Sequence, residues 1–236
     1  MTNDGTRGDE VLKRLHNKSE KVLFWKNGQD PIKPAKEIKE KRSEIRTKYG
    51  IAMETPIMLT VSRLQSWKRV DRAIVAMEKV VKEYPKAKLI VVGSGEEYNN
   101  LVNLSKELNL KDNIIFTGAV KQEEVWMYYS CADIFLSLYD LSNVGNPLME
   151  AMRYGKAIIT LDNGDTGTII KHNENGVLLS PNELKTVSDE ILNLIKDGAR
   201  RVRLGEKAFE YSKNNFWSWE ERIRTEIIEV NKLLNK

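Results

Sequence analysis

The residues of this 236-residue chain best placed for chemistry are two cations and one carboxylate. Arg63 and Lys68 flank a short loop in "SRLQSWKRVD", just ahead of a helical stripe. Two cations beside the amino end of a helix suit a diphosphate. A solvated basic turn fits the same spacing, because Lys and Arg are common on surfaces. Glu150 stands in "DLSNVGNPLME", where an apolar run gives way to a polar, Gly-containing turn and then a helix. Pro147 suits an early helical position, where its missing N–H costs nothing, and Asn146 reads as the N-cap. Gly145 lets the backbone come close to a ligand. Glu150, read as a first-turn residue, would point toward the same crevice. A carboxylate there can accept the hydroxyl protons of a ribose. The plainer alternative is an acid favoured by the helix dipole.

Other positions carry weaker signals. Gly93 and Gly95 in "GSGEE" read as a plain strand-to-helix turn, because the third Gly of a dinucleotide fingerprint is missing. Gly118 and Ala119, with Val120 beside them, are small enough to leave backbone groups open to a flat ligand, and an ordinary turn fits equally. Trp126, Tyr128 and Tyr129 read as core. His16, His172 and the single Cys131 are scattered, so no metal site is expected. The segment "PAKEIKEKRSEIRTKYG" interleaves Glu37, Glu40 and Glu44 with its cations and reads as a solvated, self-paired helix face.

The elements that must position these residues alternate in type. Apolar runs at 57–62, 88–93, 113–118, 133–139, 156–162 and 176–180 read as strands, with helical patterns between them. The stripe Val70, Ile74, Met77, Val80 and Val81 is one such helix. From Pro181 onward the chain reads as almost wholly helical. Short strands alternating with helices predict an α/β fold, a parallel sheet covered on both faces. Such sheets bind ligands at the carboxyl ends of their strands. Arg63, Lys68, Gly118, Gly145 and Glu150 all fall just after a strand, and this coincidence favours the ligand reading.

The composition fits a globular chain, 41% hydrophobic and 31% charged. No apolar run is long enough to span a bilayer, and the polar opening residues show no signal-peptide pattern. One cysteine fits a reducing, cytoplasmic compartment. The net charge of +4 does not by itself indicate nucleic acid.

Taken in order, these motifs resemble the donor-binding, C-terminal half of family-4 retaining glycosyltransferases of GT-B fold. "TVSRLQSWKRVDRAI" resembles that family's arginine–lysine diphosphate loop. "LIVVGSGEE" and "NIIFTGAV" resemble its next two strand-loop units. "ADIFLSLYD…VGNPLMEAMRYGKAII" resembles its signature of two glutamates, and "NGVLLSP" its closing segment. The resemblance covers roughly residues 50–215. It implies a Rossmann-like, doubly wound domain over 31–236, with 1–30 a remnant of the acceptor domain and linker. It further implies metal-independent transfer of a hexose-type sugar from a nucleotide diphosphate sugar to a glycan or lipid-linked acceptor. No cofactor beyond that donor is implied, and the parent enzymes can associate with membranes peripherally. The implied binding residues are Arg63, Lys68, Gly118, Ala119, Val120, Gly145, Asn146 and Glu150. The first signature glutamate falls at Ser142, and Asp140 could replace it only through a rearranged loop. A non-catalytic nucleotide- or protein-binding module, or a GT-B sugar-nucleotide epimerase, are the alternative expectations.

Overall fold

The computed structural model describes residue 25 and residues 27–234. Segment 1–30 and His16 therefore lie almost wholly outside the described residues. The chain enters through α1 (Ala35–Lys48) and then alternates strands and helices. The strands are β1 (Ile57–Val61), β2 (Lys88–Val92), β3 (Ile114–Gly118), β4 (Ile134–Ser137), β5 (Ala157–Leu161) and β6 (Val177–Leu179). Each lies inside its expected run. Buried parallel strands have no solvent face, so they appear in the sequence as continuous apolar stretches. All neighbours pair in parallel, in the order β3-β2-β1-β4-β5-β6. The order reverses between β1 and β4, and there the register joins only Met58 to Ile134 and Leu59 to Phe135. The β1–β2 pairing, by contrast, runs through five residue pairs, from Ile57–Lys88 to Val61–Val92.

Alternate side chains of the strands feed two cores. One face, with Met58, Leu89, Val91, Ile134, Leu136 and Ile159, is covered by α2 (Val70–Glu83), α3 (Tyr98–Glu107) and α7 (Val187–Lys196). The other, with Leu59, Ile90, Phe135 and Ile158, is covered by α1, α4 (Val125–Cys131) and α5 (Asn146–Arg153). The short α6 (Thr166–Ile169) follows β5, and α8 (Gly198–Asn215) and α9 (Trp219–Leu234) close the helical end expected from Pro181 onward. Tyr128 and Tyr129 are buried, as read.

The basic helix α1 differs in part from its reading. Lys36–Glu40 and Lys41–Glu44 pair on its surface. Arg42 and the buried Arg46 instead turn inward and hold Asp133, just ahead of β4, at 3.0 and 3.2 Å. Asp133 also accepts the Ile57 N–H at 2.9 Å, which ties the amino ends of β1 and β4. Among the described residues no helix is long and apolar enough to cross a membrane.

Candidate functional site

Because every strand is parallel, all the loops that follow them gather at one edge. Those after β1 and β4 flank the point where the strand order reverses, the place where open α/β sheets leave a crevice. The β1 loop passes through a single 3-10 turn, Ser66–Lys68, into α2, with Arg69 in the left-handed region at φ 46°. Four cations lie on this stretch, and the structure divides them. Arg69 binds Asp71 and Asp140, and Arg72 binds Asp140 and donates to the Leu138 carbonyl oxygen at 2.7 Å. Arg63 is exposed, and Lys68 is half-buried. Among the described residues neither side chain has a carboxylate or hydrogen-bond partner. Burial, and secondarily the charge of Arg63, push the Lys68 ammonium down to about 8. Its Nζ lies 4.0 Å from the ring centre of Trp67 and 3.8 Å from that of Tyr139.

The β4 loop is held from within. Asn143 is buried; its side-chain oxygen accepts from the Ser137 hydroxyl (2.9 Å) and the Tyr139 N–H (3.0 Å). Its amide donates to the Leu161 carbonyl oxygen at 3.2 Å, and its backbone N–H to Thr166 Oγ1 at 3.1 Å. One residue thus locks the loop to β5 and α6. Nothing in the sequence pattern marks it, since Asn is ordinary in turns. Ser142 is buried and its Oγ accepts the Val144 N–H at 3.1 Å. Asp140 is engaged by two arginines, Arg69 and Arg72.

Helix α5 starts one residue earlier than expected. Gly145 is the N-cap, in extended backbone, and no side chain caps it. Asn146 is the first helical residue, and its side-chain oxygen instead accepts from the Asn27 amide at 2.9 Å. The uncapped amino end leaves backbone donors for another acceptor. Glu150 is consequently beyond the first turn, which holds no acid. Its carboxyl lies toward the β3 loop, 3.5 Å from the Gln122 side-chain amide. It lines a cavity of about 270 Å³ with Asp30, Lys33, Trp126, Tyr129 and Tyr154. Burial pushes this carboxyl up to about 7; the neighbouring Tyr129 and Gln122 donors pull it back, and the Asp30 charge raises it further. Trp126, read as core, is half-buried here and stacks on Tyr154.

The small residues after β3 behave differently from one another. Gly118 has φ +72°, and a Cβ there would meet nothing within 4 Å. Ala119 is exposed, whereas Val120 packs against the core. Gly93 has a structural reason of its own: a Cβ would lie 1.9 Å from the Ser62 carbonyl oxygen. His172 is bound through Nδ1 to the Leu178 backbone, 2.9 Å from its carbonyl oxygen. The expected residues therefore fall into two groups at one edge: Arg63 and Lys68 beside the β4 loop, and Glu150 in the cavity below the β3 loop.

The sequence matches the family described as glycosyl transferases group 1 over residues 41–211. It is 31% identical over 180 residues to N-acetyl-alpha-D-glucosaminyl L-malate synthase of Bacillus anthracis, a match covering 76% of this chain and 46% of that one. It is also 31% identical to alpha-monoglucosyldiacylglycerol synthase of Streptococcus pneumoniae, covering 76% and 41%. The chain thus spans less than half the length of these relatives. In three dimensions it resembles the Anabaena protein HepE, solved in complex with UDP and glucose, with a TM-score of 0.83, 20% identity, and coverage of 98% and 62%.

Proposed function

The chain belongs to the group 1 glycosyl transferases, and on that premise we propose that residues 31–236 form the donor-binding half of a retaining hexosyltransferase. The donor is a nucleotide diphosphate sugar, and the acceptor is a glycan or a lipid-linked acceptor. The observation that carries this reading is the division of the switch-point cations. Arg69 and Arg72 are engaged by Asp71 and Asp140, while Arg63 and Lys68 have no anionic partner among the described residues. Cations kept unpaired beside an uncapped helix start suit an anion of two phosphates.

The chemistry follows from charge. Breaking the bond between sugar and diphosphate leaves negative charge on the departing oxygen. Fixed donors aimed at developing charge are commonly the largest catalytic contribution. In this reading Arg63, Lys68 and the amides at the start of α5 meet that charge without a metal ion. Gly118 and Ala119 leave the β3 loop open to the nucleoside, and Glu150 accepts from the ribose hydroxyls inside the ring-lined cavity. The relative of S. pneumoniae is named for a glycolipid product and that of B. anthracis for a glycosylated malate. Acceptor chemistry therefore varies among relatives, and within that class we single out no one acceptor for this chain. Ser142, small and tied to its own loop, supports a second reading, a nucleotide-binding module without transfer.

Calorimetric titration with uridine, guanosine and adenosine diphosphates tests the proposal. One of them is expected to bind, and Arg63→Ala or Lys68→Ala to weaken it roughly tenfold to a hundredfold, the worth of a charge-assisted contact. The matching bare nucleoside should lose little. Equal losses for nucleoside and diphosphate, or no binding by the unaltered chain, overturn the assignment.

A further inference from the structure

We propose that Trp67 and Tyr139 are positioning residues for Lys68, holding its ammonium between two ring faces so that it is fixed yet unneutralised when a diphosphate arrives; this rests on the diphosphate reading above. The neighbouring cations show the alternative. Arg69 and Arg72 are fixed by carboxylates. A carboxylate fixes a cation, but it cancels the charge and must be displaced by any incoming anion. The face of an aromatic ring attracts an ammonium through its quadrupole and carries no net charge. It can therefore hold a cation without competing for its charge.

The geometry is specific. Lys68 Nζ is 4.0 Å from one ring centre and 3.8 Å from the other. The rings meet edge to face, 6.1 Å apart and inclined at 76°, which leaves a notch that the ammonium fills. They come from opposite sides of the switch point, Trp67 from the β1 loop and Tyr139 from the end of β4. Each is independently anchored. The Trp67 indole N–H donates to Gln65 Oε1 at 3.2 Å, and the Trp67 carbonyl oxygen accepts the Asp140 N–H at 3.1 Å. The buried Tyr139 donates its hydroxyl to the Val61 carbonyl oxygen at 3.2 Å and its N–H to Asn143 at 3.0 Å. A free lysine has a long, mobile side chain that must be ordered when it binds. Ordering it beforehand removes that cost from the binding step. Burial, and secondarily the charge of Arg63, lower the Lys68 ammonium to about 8, and the two rings are among the groups that bury it.

The test uses inorganic pyrophosphate and the unaltered chain as reference, titrated by calorimetry from pH 6.5 to 10. The reference should lose affinity as pH rises past about 8. Trp67→Leu and Tyr139→Leu should each weaken binding at pH 7 about tenfold and move that inflection toward the ordinary lysine range. Tyr139→Phe, which keeps the ring, should retain the reference profile. Trp67 is only half-buried, so its variant serves if Tyr139→Leu does not fold. Unchanged affinity and inflection in folded Trp67→Leu, with Lys68→Met weakened, overturns the ring notch alone. Unchanged binding in Lys68→Met overturns the diphosphate reading and the proposal with it.

Discussion

Glu150 sits in a ring-lined cavity with its carboxyl raised to about 7 by burial. A carboxyl with a raised pKa in the folded state binds its proton more tightly there than in the unfolded chain. Its stabilising contribution is then fully present below the ordinary glutamate range and is lost as pH rises to about 7. Above that, ionised Glu150 costs the fold on the order of 3 kcal/mol, since each tenfold change in proton affinity corresponds to about 1.4 kcal/mol. Glu150→Gln should remove this slope and raise the thermal midpoint at pH 8, as a melting series at several pH values would show. Nucleotide binding should run the other way. A carboxylate that accepts ribose hydroxyls works only when ionised, so affinity for the ribonucleotide should climb as pH passes 7, and in Glu150→Gln it should not. If binding ignores pH while stability follows it, Glu150 belongs to the fold and not to the ligand. Arg63, Lys68 and Glu150 stand out in the sequence as candidates because they are charged and follow strands. Trp67 and Tyr139 do not, because an aromatic beside a lysine takes its meaning only from where another loop brings a second ring. Asn143 is hidden for the same reason: its partners lie on β4, β5 and α6.

The six strands are readable because burial makes each a mostly apolar run, broken by few polar residues such as Thr60, Ser137 and Thr160. The start of α5 falls one residue away from where the sequence places it. The polar turn offers both Gly145 and Asn146, and only the Asn27 contact shows that the Asn side chain is engaged elsewhere. Two glycines that look alike in sequence should respond differently to Gly→Ala. At Gly93 the new Cβ would collide with the Ser62 carbonyl oxygen, and φ is +136°. Gly93→Ala should therefore cost more than about 3 kcal/mol or prevent folding. Gly118, with open space around it, should lose only about 1–2 kcal/mol from its left-handed backbone. Any larger loss of nucleotide affinity in Gly118→Ala would show that the β3 loop needs its bare backbone at the ligand. Denaturant midpoints of both variants check the comparison. Asn143→Ala leaves the Tyr139 N–H and the Ser137 hydroxyl without their acceptor, and leaves the Leu161 carbonyl oxygen only the Asn163 N–H. A loss of about 2–4 kcal/mol is expected from such unsatisfied buried groups.

At the scale of the whole molecule, the proposed donor-binding half would form one side of a cleft. The chain spans 46% and 41% of two relatives that match it. A polypeptide of these 236 residues is expected to bind nucleotide diphosphate and to transfer no sugar, which a radiolabelled-donor assay with simple glycan acceptors checks. The sheet itself is unevenly joined. The halves β1–β3 and β4–β6 meet in register through two residue pairs, against five between β1 and β2. The two halves also share both apolar cores, and loops add ties through Asp133 at one end and Tyr139 and Asp140 at the other. The line between β1 and β4 carries the fewest paired residues in the sheet, and partial opening of the ladder is expected there first. Its amides should exchange with solvent through such a partial opening sooner than those of β2. A diphosphate held by Lys68 on one side and the start of α5 on the other spans that line. At about a hundredfold excess over its dissociation constant it would add about 2.7 kcal/mol against any opening that loses it. Donor occupancy would then be recorded as slowed deuterium uptake along β1 and β4, far more than at the sheet's outer strands, turning the most sparsely paired joint of the sheet into its gauge of ligand.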